Sequence, residues 1–580
     1  MLDKTHVKSF KKMSMKKNVI WIVLLCSSFF ESFGQDKAWW KETVVYQVYP
    51  QSFKDSDGDG VGDLKGIMQK LDYLQQLGIE TIWINPFYKS PGYDNGYDIS
   101  DYRSIDPLYG SMKDFDALLS GMKKRKMHLV MDMVLNHTSD EHPWFKEARQ
   151  SRANVFHDFY VWKQGKKDSV PNNWPSIFGG SAWKWNEQTQ EYYLHTFYDR
   201  QPDLNWDNPK MRQELYKIMR FWLDKGVDGF RLDAISLISK NKAFPPMDYS
   251  KGIFAALNGN INNGPHLHEY LKEMNQQVFG KYNVYTVGEI YTDKDSAWEY
   301  IAPSRKELSA MLSFDILMLQ NPDQVPLLKK TLDGWNAALQ SREIWNTSVL
   351  TDHDFPRAVS RIGNDKQYRV QSAKMLATLL LTYRGTPFIY QGEELGMTNY
   401  PFKDIAEIKD ITAHDQFAAL TKQQGLSDSA AFKIISSTTR DNARTPFQWD
   451  ASGNAGFTRA ANPWLAVNPN YIDINAAAER TDTGSILNYY KKLIYLRKTN
   501  PSLIYGSFED IDPGDSSVFA FTRTLGKEKW LVILNMKGKA ISYQAEKPGT
   551  VILSNYSSGK GTDPSLFQPY EARIYYGSSR

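Results

Sequence analysis

The stretch GVDGFRLDAI, residues 226–235, is apolar enough to be a buried strand, yet it holds Arg231 and Asp233. Side chains alternate across a strand, so these two share one face while Phe230 and Leu232 share the other, the face that would meet packing helices. Taking a lone charge out of water costs on the order of several kcal/mol. The ionic face must therefore be a satisfied ion pair between core elements, or it must line a wet, working cavity. We read it as a barrel strand whose C-terminal end opens on an active site.

The rest of the chain supplies the barrel. ETVVYQVYP (42–50), IETIWINP (79–86), MHLVMDMV (127–134), VDGFRLD (227–233), NVYTVGE (283–289), SAMLSFD (309–315), WNTSVLTDHD (345–354) and TPFIYQG (386–392) are eight candidate strands. Helical patterns lie between them. One opens at Asn208-Pro209, where Asn caps and Pro takes the first turn, and continues through Met211, Leu215, Ile218, Met219 and Trp222. Eight alternating units predict an α/β fold, a (β/α)8 barrel spanning 35–137 and 205–500. Residues 138–204 are too long for a loop and predict a small inserted domain after the third strand. Beyond residue 500, FAFTR, WLVILNM, TVILSNY and ARIYY follow one another without helices and predict a C-terminal antiparallel β-sandwich domain over 501–580.

Residues 1–34 read as an export signal. Lys16 and Lys17 precede an apolar run over 19–30, and Ser32 and Gly34 suit a cleavage site after Gly34. The run is short for a membrane anchor, and Met15 is an alternative start. This leader holds six lysines and two acids, which account for the whole formal charge of +4. A neutral mature chain without a Lys/Arg run predicts neither a nucleic-acid nor a membrane partner. It predicts a periplasmic or secreted protein, leaves the oligomeric state open, and removes the sole cysteine, Cys26, so no disulfide is expected. The 17 Trp and 33 Tyr give flat rings that suit sugar faces as well as core packing.

Asp132, Asp233, Glu289 and Asp354 fall at the ends of candidate strands, which would deliver four acids to one rim. Clustered carboxylates raise one another's pKa and are tolerated mainly where proton transfer uses the perturbation. Retaining glycoside cleavage needs such a pair, with an ionised nucleophile and a protonated acid ~5 Å apart. Arg231, two residues before Asp233, is expected to lower that carboxyl, while partial desolvation keeps Glu289 protonated.

DMVLNH (132–137), GFRLDA (229–234), VGE (287–289) and HD (353–354), in this order, resemble the four signature regions of the α-amylase family of glycoside hydrolases. DNGYDISDY (94–102), QPDLN (201–205), GTPFIYQGEELG (385–396) and RDNARTPFQWD (440–450) resemble its oligo-1,6-glucosidase and α-glucosidase branch. The resemblance implies Asp233 as nucleophile, Glu289 as general acid/base and Asp354 as the acid that grips sugar hydroxyls. Arg231 would hold Asp233, and Asp132 would orient Arg231. His137 and His353 would contact the first sugar, and Asp98 with Arg444 would close the pocket beyond it. Two departures stand out: Asp352-His353-Asp354-Phe355-Pro356 replaces the usual Asn-His-Asp-Gln-Pro, and Gln51 replaces an Arg in YPQSF.

The loop DSDGDGVGD (55–63) offers Asp55, Asp57, Asp59, the Val61 carbonyl and Asp63 at alternate positions, as a Ca²⁺ loop does, although Gly66 stands at the twelfth position. A solvated acidic turn is the competing reading, and the resemblance favours a structural Ca²⁺. The expected activity is an exported exo-α-glucosidase acting on small α-gluco-oligosaccharides. Ala234 after the nucleophile favours α-1,4 bonds, where α-1,6 relatives tend to carry Val. The alternatives are an oligo-1,6-glucosidase, a transferring or isomerising relative such as a trehalose or isomaltulose synthase, and a catalytically inactive partner protein.

Overall fold

All eight expected strands form. β1 (Val45–Val48), β2 (Thr81–Ile84), β3 (His128–Val134), β4 (Gly229–Asp233), β5 (Tyr285–Glu289), β6 (Ala310–Leu312), β7 (Thr347–Val349) and β8 (Thr386–Tyr390) make one parallel sheet, hydrogen-bonded in the order β6-β5-β4-β3-β2-β1-β8-β7. Nearly every residue in them is buried on whichever face it points to, which is why they read as continuous apolar runs. Between the two end strands Thr347 Oγ1 donates to Met311 O at 2.6 Å, closing the sheet into a (β/α)8 TIM barrel through a side chain. The computed structural model describes residues 38–319, 325–545, 549–557 and 563–578. The export leader expected over 1–34, with Cys26 and Met15, lies outside the described residues.

Alternation sorts the barrel residues as the charges in β4 require. Val45, Trp83, Val130, Tyr285, Val287, Leu312, Val349 and Phe388 fill the interior, whereas Tyr46, Ile82, Met131, Phe230, Leu232 and Ile389 face the helices. Arg231 and Asp233 take the interior parity. Gly229 opens β4 because a Cβ there would lie 2.1 Å from Tyr285 O on β5. The helix Pro209–Lys225 is capped as expected: Asn208 accepts from Lys210 N at 2.9 Å and Met211 N at 3.4 Å, and Gly226 ends it at φ 99°. At the N-terminal end of the barrel, Trp40 stacks on Tyr285 with centroids 5.2 Å apart, and Trp39 stacks on His128 at 3.9 Å.

The insert after β3 holds a three-stranded antiparallel sheet, Trp162–Gln164, Glu191–Leu194 and Trp183–Asn186, tied back to the barrel by bridges His137 to Asp203 and Tyr160 to Leu204. Its Trp174, Trp183 and Tyr192 pack with Ala234, Leu237, Met247 and Ile261 of the segment after β4.

The C-terminal sheet runs Ser507–Asp510, Val518–Leu525, Glu528–Asn535, Ala572–Ser578, Thr550–Ser554, all antiparallel, so one strand joins the four read from sequence. One face, with Val518, Ala520, Leu531 and Tyr575, packs on Ile541 and Phe567 of a short strand pair. The other, with Phe519, Phe521, Trp530, Val532 and Ile574, belongs to the same apolar cluster as the barrel's outer layer. Buried Lys329, on the helix Val325–Gln340, donates to Asp512 O, Asp515 O and Val518 O at 2.7, 3.0 and 2.9 Å. Among the described residues no helix is long and apolar enough to cross a membrane.

Candidate active site

The site is built on one guanidinium. Register places Asp132 of β3 beside Arg231 of β4 and Val134 beside Asp233. Arg231 Nη1 donates to Asp132 Oδ1 at 2.8 Å and to Asp233 Oδ1 at 2.6 Å, and Nη2 donates to Glu289 Oε2 at 2.5 Å. Asp132 thus stands level with Arg231, two residues inside β3, and forms the floor of the site rather than its rim. It also accepts from Trp83 Nε1 at 3.1 Å and from Tyr97 OH at 3.0 Å. Glu289 Oε2 receives a second bond, from Ala234 N at 2.9 Å, and Oε1 faces Tyr291 OH at 3.2 Å.

Three buried acids around one cation do not all ionise freely. Burial pushes Asp132 up to about 6 against the pull of Arg231. Burial also carries Asp233 well above the usual carboxylate range; Arg231 opposes this, and Glu289 and Asp132 add to it. The expectation that Arg231 would lower Asp233 is therefore reversed, because desolvation outweighs a cation shared three ways.

Asp354 is not on a strand end. β7 stops at Val349, and the loop that follows brings Asp354 to the cavity. Its Oδ1 accepts from Arg444 Nη2 at 2.9 Å and Arg440 Nη1 at 3.4 Å, and Oδ2 lies 3.2 Å from His353 Nε2. Burial would raise this carboxyl, yet it is held well below its ordinary range. Interaction with His353, then Arg440 and Arg444, holds it there. Burial drives His353 itself down to about 3, so near neutral pH the ring is uncharged and the two arginines are the full charges beside the carboxylate. Gln47 Nε2 donates to His353 Nδ1 at 2.9 Å, which leaves the ring proton on Nε2, facing Tyr97 OH at 2.7 Å. His137 is likewise buried, pushed down to about 4, and lies 3.2 Å from Gln201 Nε2.

The cavity, about 510 Å³, is lined by Asp94, Tyr97, His137, Phe178, Asp233, Glu289, Tyr291, Phe314, Asp354, Phe355 and Arg440 among others. Four of the expected residues, Asp98, Arg231, His353 and Arg444, are absent from its walls. Asp98 is fully buried and accepts from Ser90 Oγ, Tyr93 N and Asp94 N, each at 3.0 Å, so it clamps the 90–98 turn. Asp94 is the acid that faces inward, accepting from Gln201 Nε2 at 3.1 Å. Arg444 stands behind Asp354 and donates to His353 O at 3.0 Å, while Arg440 reaches the cavity, 3.6 Å from Asp94 Oδ1 and bonded to Asp410. Both assignments shift by four residues toward the N-terminus within the quoted motifs. Asp410, Tyr291 and Phe314 carried no comparable signal in the sequence.

The departures are visible too. Asp352 is buried and accepts Asp354 N on Oδ1 at 2.8 Å. Burial, then Asp354, pushes it up to about 7, so the extra negative charge expected there is largely neutralised. Phe355 lies 6.0 Å from Phe314, which stacks on Tyr291 at 4.5 Å. Gln51 accepts from Tyr49 OH at 3.4 Å.

In the 55–63 loop Asp55, Asp57 and Asp63 bring one oxygen each to within 4.8 Å of one another, a donor set that fits a hard cation. Asp59 is not among them. Its carboxylate accepts Val61 N at 2.8 Å, a bond that does not involve the Val61 carbonyl. A Cβ at Gly66 would lie 1.9 Å from Lys54 O, which explains why the twelfth position carries no glutamate.

The model of the α-amylase catalytic domain matches residues 47–506. An oligo-1,6-glucosidase of Parageobacillus thermoglucosidasius is 47% identical over 559 residues, covering 93% of this chain and 99% of that protein. An α-glucosidase of Pediococcus pentosaceus is 46% identical over 558 residues, covering 93% and 98%. The crystal structure of a trehalulose synthase from Pseudomonas mesoacidophila MX-45 superposes with a TM-score of 0.89 at 45% identity, covering 93% of this chain and all of that one.

Asp352 generates a pH-dependent stability. Its folded carboxyl, at about 7, holds a proton that the unfolded chain has already lost above its ordinary 3.8, so its contribution falls as pH rises between about 4 and 7. Asp352→Asn keeps an oxygen for Asp354 N and removes that dependence. The melting temperature of the variant relative to the wild type is expected to climb between pH 5 and 8, by the equivalent of about 1–2 kcal/mol. A constant difference across that range excludes the titration.

Proposed function

The chain belongs to the α-amylase family of glycoside hydrolases and is of its α-glucosidase type, and from that premise we propose that it cleaves single glucosyl units from the non-reducing end of short α-glucosides with retention of configuration. The observation that carries the proposal is the shared anchor: Asp233 and Glu289 accept from the two Nη atoms of Arg231. Two carboxylates held on one guanidinium favour the ~5–5.5 Å spacing of a nucleophile and an acid over the ~6.5–9.5 Å that leaves room for a water.

Roles follow from which oxygens are free. Arg231 occupies Asp233 Oδ1, leaving Oδ2 to attack the anomeric carbon. Arg231 and Ala234 N occupy Glu289 Oε2, leaving Oε1, whose one other partner is Tyr291 OH at 3.2 Å, to give its proton to the leaving oxygen. Burial favours the proton on Asp233, which lies in hydrogen-bonding reach of Glu289. Cleavage needs the reverse arrangement, Asp233 ionised and the proton on Glu289. Asp354, kept ionised by Arg440 and Arg444, accepts sugar hydroxyls and offsets the positive charge that develops on the ring. The neutral ring of His137, which lines the cavity, hydrogen-bonds a hydroxyl without opposing that charge, while His353, held by Gln47 and Tyr97, braces Asp354 from behind. The attack of water on the glycosyl-enzyme, with Glu289 now as base, restores the site.

For linkage, the oligo-1,6-glucosidases among the relatives weigh toward α-1,6 bonds and outweigh the expectation of α-1,4 preference drawn from Ala234. Ala234 has φ 44° and packs with Leu237 and Trp183, so it can shape the acceptor side only through the backbone. Transfer to a sugar acceptor is the second reading, favoured by the apolar wall of Tyr291, Phe314 and Phe355. Asp55, Asp57 and Asp63 would hold a Ca²⁺ that pins the loop, remote from the reacting atoms. The leader sequence supports export to the periplasm or beyond.

Asp233→Asn should lower kcat on isomaltose by about 10³-fold or more with the fold intact. Retention of a tenth of the activity removes the nucleophile assignment, and a wild type that prefers maltose to isomaltose by kcat/KM reverses the linkage. Asp94→Asn should cost about tenfold or more in kcat/KM, as the loss of a charged hydrogen bond to a sugar does. Asp98→Asn should instead lower the melting temperature with kcat/KM nearly kept; the opposite pattern restores Asp98 to the pocket. Chelator should lower the melting temperature and added Ca²⁺ should restore it, with kcat on folded enzyme unchanged. An unmoved melting curve with no metal found on analysis removes the ion.

A further inference from the structure

Asp354 is held by two arginines from a distant part of the chain, and those arginines need a hold of their own. Arg444 cannot place itself: Nε donates to His353 O at 3.0 Å and Nη2 to Asp354 Oδ1 at 2.9 Å, but buried Nη1 has no hydrogen-bond partner. Arg440 precedes, and Arg444 ends, a single turn of helix, Asp441–Arg444, too short to be stable by itself. Where that turn lies decides whether both guanidinium groups reach the carboxylate. Its carbonyls are met by a buried cation that has no part in the chemistry described above. Arg357, 1% exposed, sends Nη2 to Ala443 O at 2.7 Å and Nε to Asn442 O at 3.3 Å, while Nη1 donates to Gln391 O, just beyond β8, at 2.5 Å. A helix end leaves such carbonyls without donors. Tyr390 OH also donates to Ala443 O, at 3.0 Å. Gly392, at φ 89°, leaves room for the guanidinium, since a Cβ there would lie 3.0 Å from Nη1.

We infer that Arg357 is a positioning residue for the reaction: by gripping Asn442 and Ala443 it keeps Arg440 and Arg444 on Asp354, and so keeps that acid in place for the sugar. The inference rests on the α-glucosidase reading and adds a residue to it that touches no reacting atom. Arg357 follows Asp354 by three residues, so one loop carries both the acid and the clamp on the turn that supplies its cations. Other buried arginines, such as Arg497 and Arg523, also meet only carbonyls, but theirs lie within residues 381–385 and 503–506. Those of Arg357 lie in the turn between Arg440 and Arg444. Three carbonyls on two segments suit a planar fork, which lysine, a point charge on a flexible stem, reproduces only in part. Without the clamp the turn is free to shift, and a misplacement on the order of 1 Å is enough to cost about 10²-fold in rate.

A double-mutant cycle tests this. Affinity for 1-deoxynojirimycin, an amine with the hydroxyl pattern of glucose, is measured by calorimetry for Arg357→Met and Arg357→Lys, each alone and combined with Asp354→Asn, after melting curves have shown which proteins are folded. With Asp354 present, Arg357→Met should weaken binding about tenfold or more and lower kcat on p-nitrophenyl α-glucoside by about 30- to 100-fold. Arg357→Lys should recover part of each loss. In the Asp354→Asn background neither substitution should change affinity by more than about twofold, because no carboxylate is left for Arg440 and Arg444 to hold. If Arg357→Met does not fold, Arg357→Lys runs the cycle alone. Equal losses in both backgrounds mean a scaffold role that does not pass through Asp354, and overturn the inference. Unchanged affinity in Arg357→Met, or in Arg357→Lys where it runs alone, overturns it as well. A wild type that neither binds the amine nor cleaves the glucoside overturns the α-glucosidase reading itself.

Discussion

A buried guanidinium surrounded by three carboxylates is the constraint on which the rest of the structure depends. With Arg231 at 1% exposure, removing any one of its partners or the cation itself would leave charge stranded in a dry barrel. The fold answers by sealing the group from below with Trp83 and from the side with Tyr97, both of which also hydrogen-bond Asp132. Charge that cannot be balanced locally is balanced with protons. That is a liability in a core and an asset in a site that, on the proposed reading, needs one carboxylate and one carboxylic acid side by side.

A second ionic layer lies above the first and has the opposite character. Around Asp354, Arg440 and Arg444 outnumber the acid they hold, and Asp410 and Asp94 in turn hold Arg440. The upper layer therefore stays ionised while the lower one titrates. On the proposed reading, a sugar between them would meet a fixed anion on one side and a proton donor on the other. Asp352 in place of the usual asparagine fits this division, since burial leaves it close to neutral and its contact with Asp354 N is one that an asparagine oxygen also makes.

Much of this was legible in the sequence. The eight barrel strands were readable because a strand buried on both faces has no polar alternation and stands out between helices. The inward parity of Arg231 and Asp233 followed from period two alone. What was not legible depends on where strands stop. Asp132 lies inside β3 and Asp354 lies in a loop beyond β7, and nothing in the apolar runs marks those ends. The pairs Asp94 with Asp98 and Arg440 with Arg444 were confused for a related reason. Each motif contains two like residues four apart, and only the turn geometry decides that Asp98 takes three donors of its own loop while Asp94 faces the cavity. In the acidic loop the alternate spacing was visible, but the turn draws Asp59 onto Val61 N and leaves three acids together.

The C-terminal sheet was readable as antiparallel strands but not as part of the barrel's packing. Its second face, through Phe519, Phe521, Val532 and Ile574, is continuous with the apolar layer outside the barrel strands, and the strand Ala572–Ser578 sits between two others rather than at an edge. During synthesis, then, the barrel emerges first but cannot finish covering its own outer layer until the last strand of the sheet has left the ribosome. A break in translation near its end would leave that flank of the barrel's outer layer uncovered.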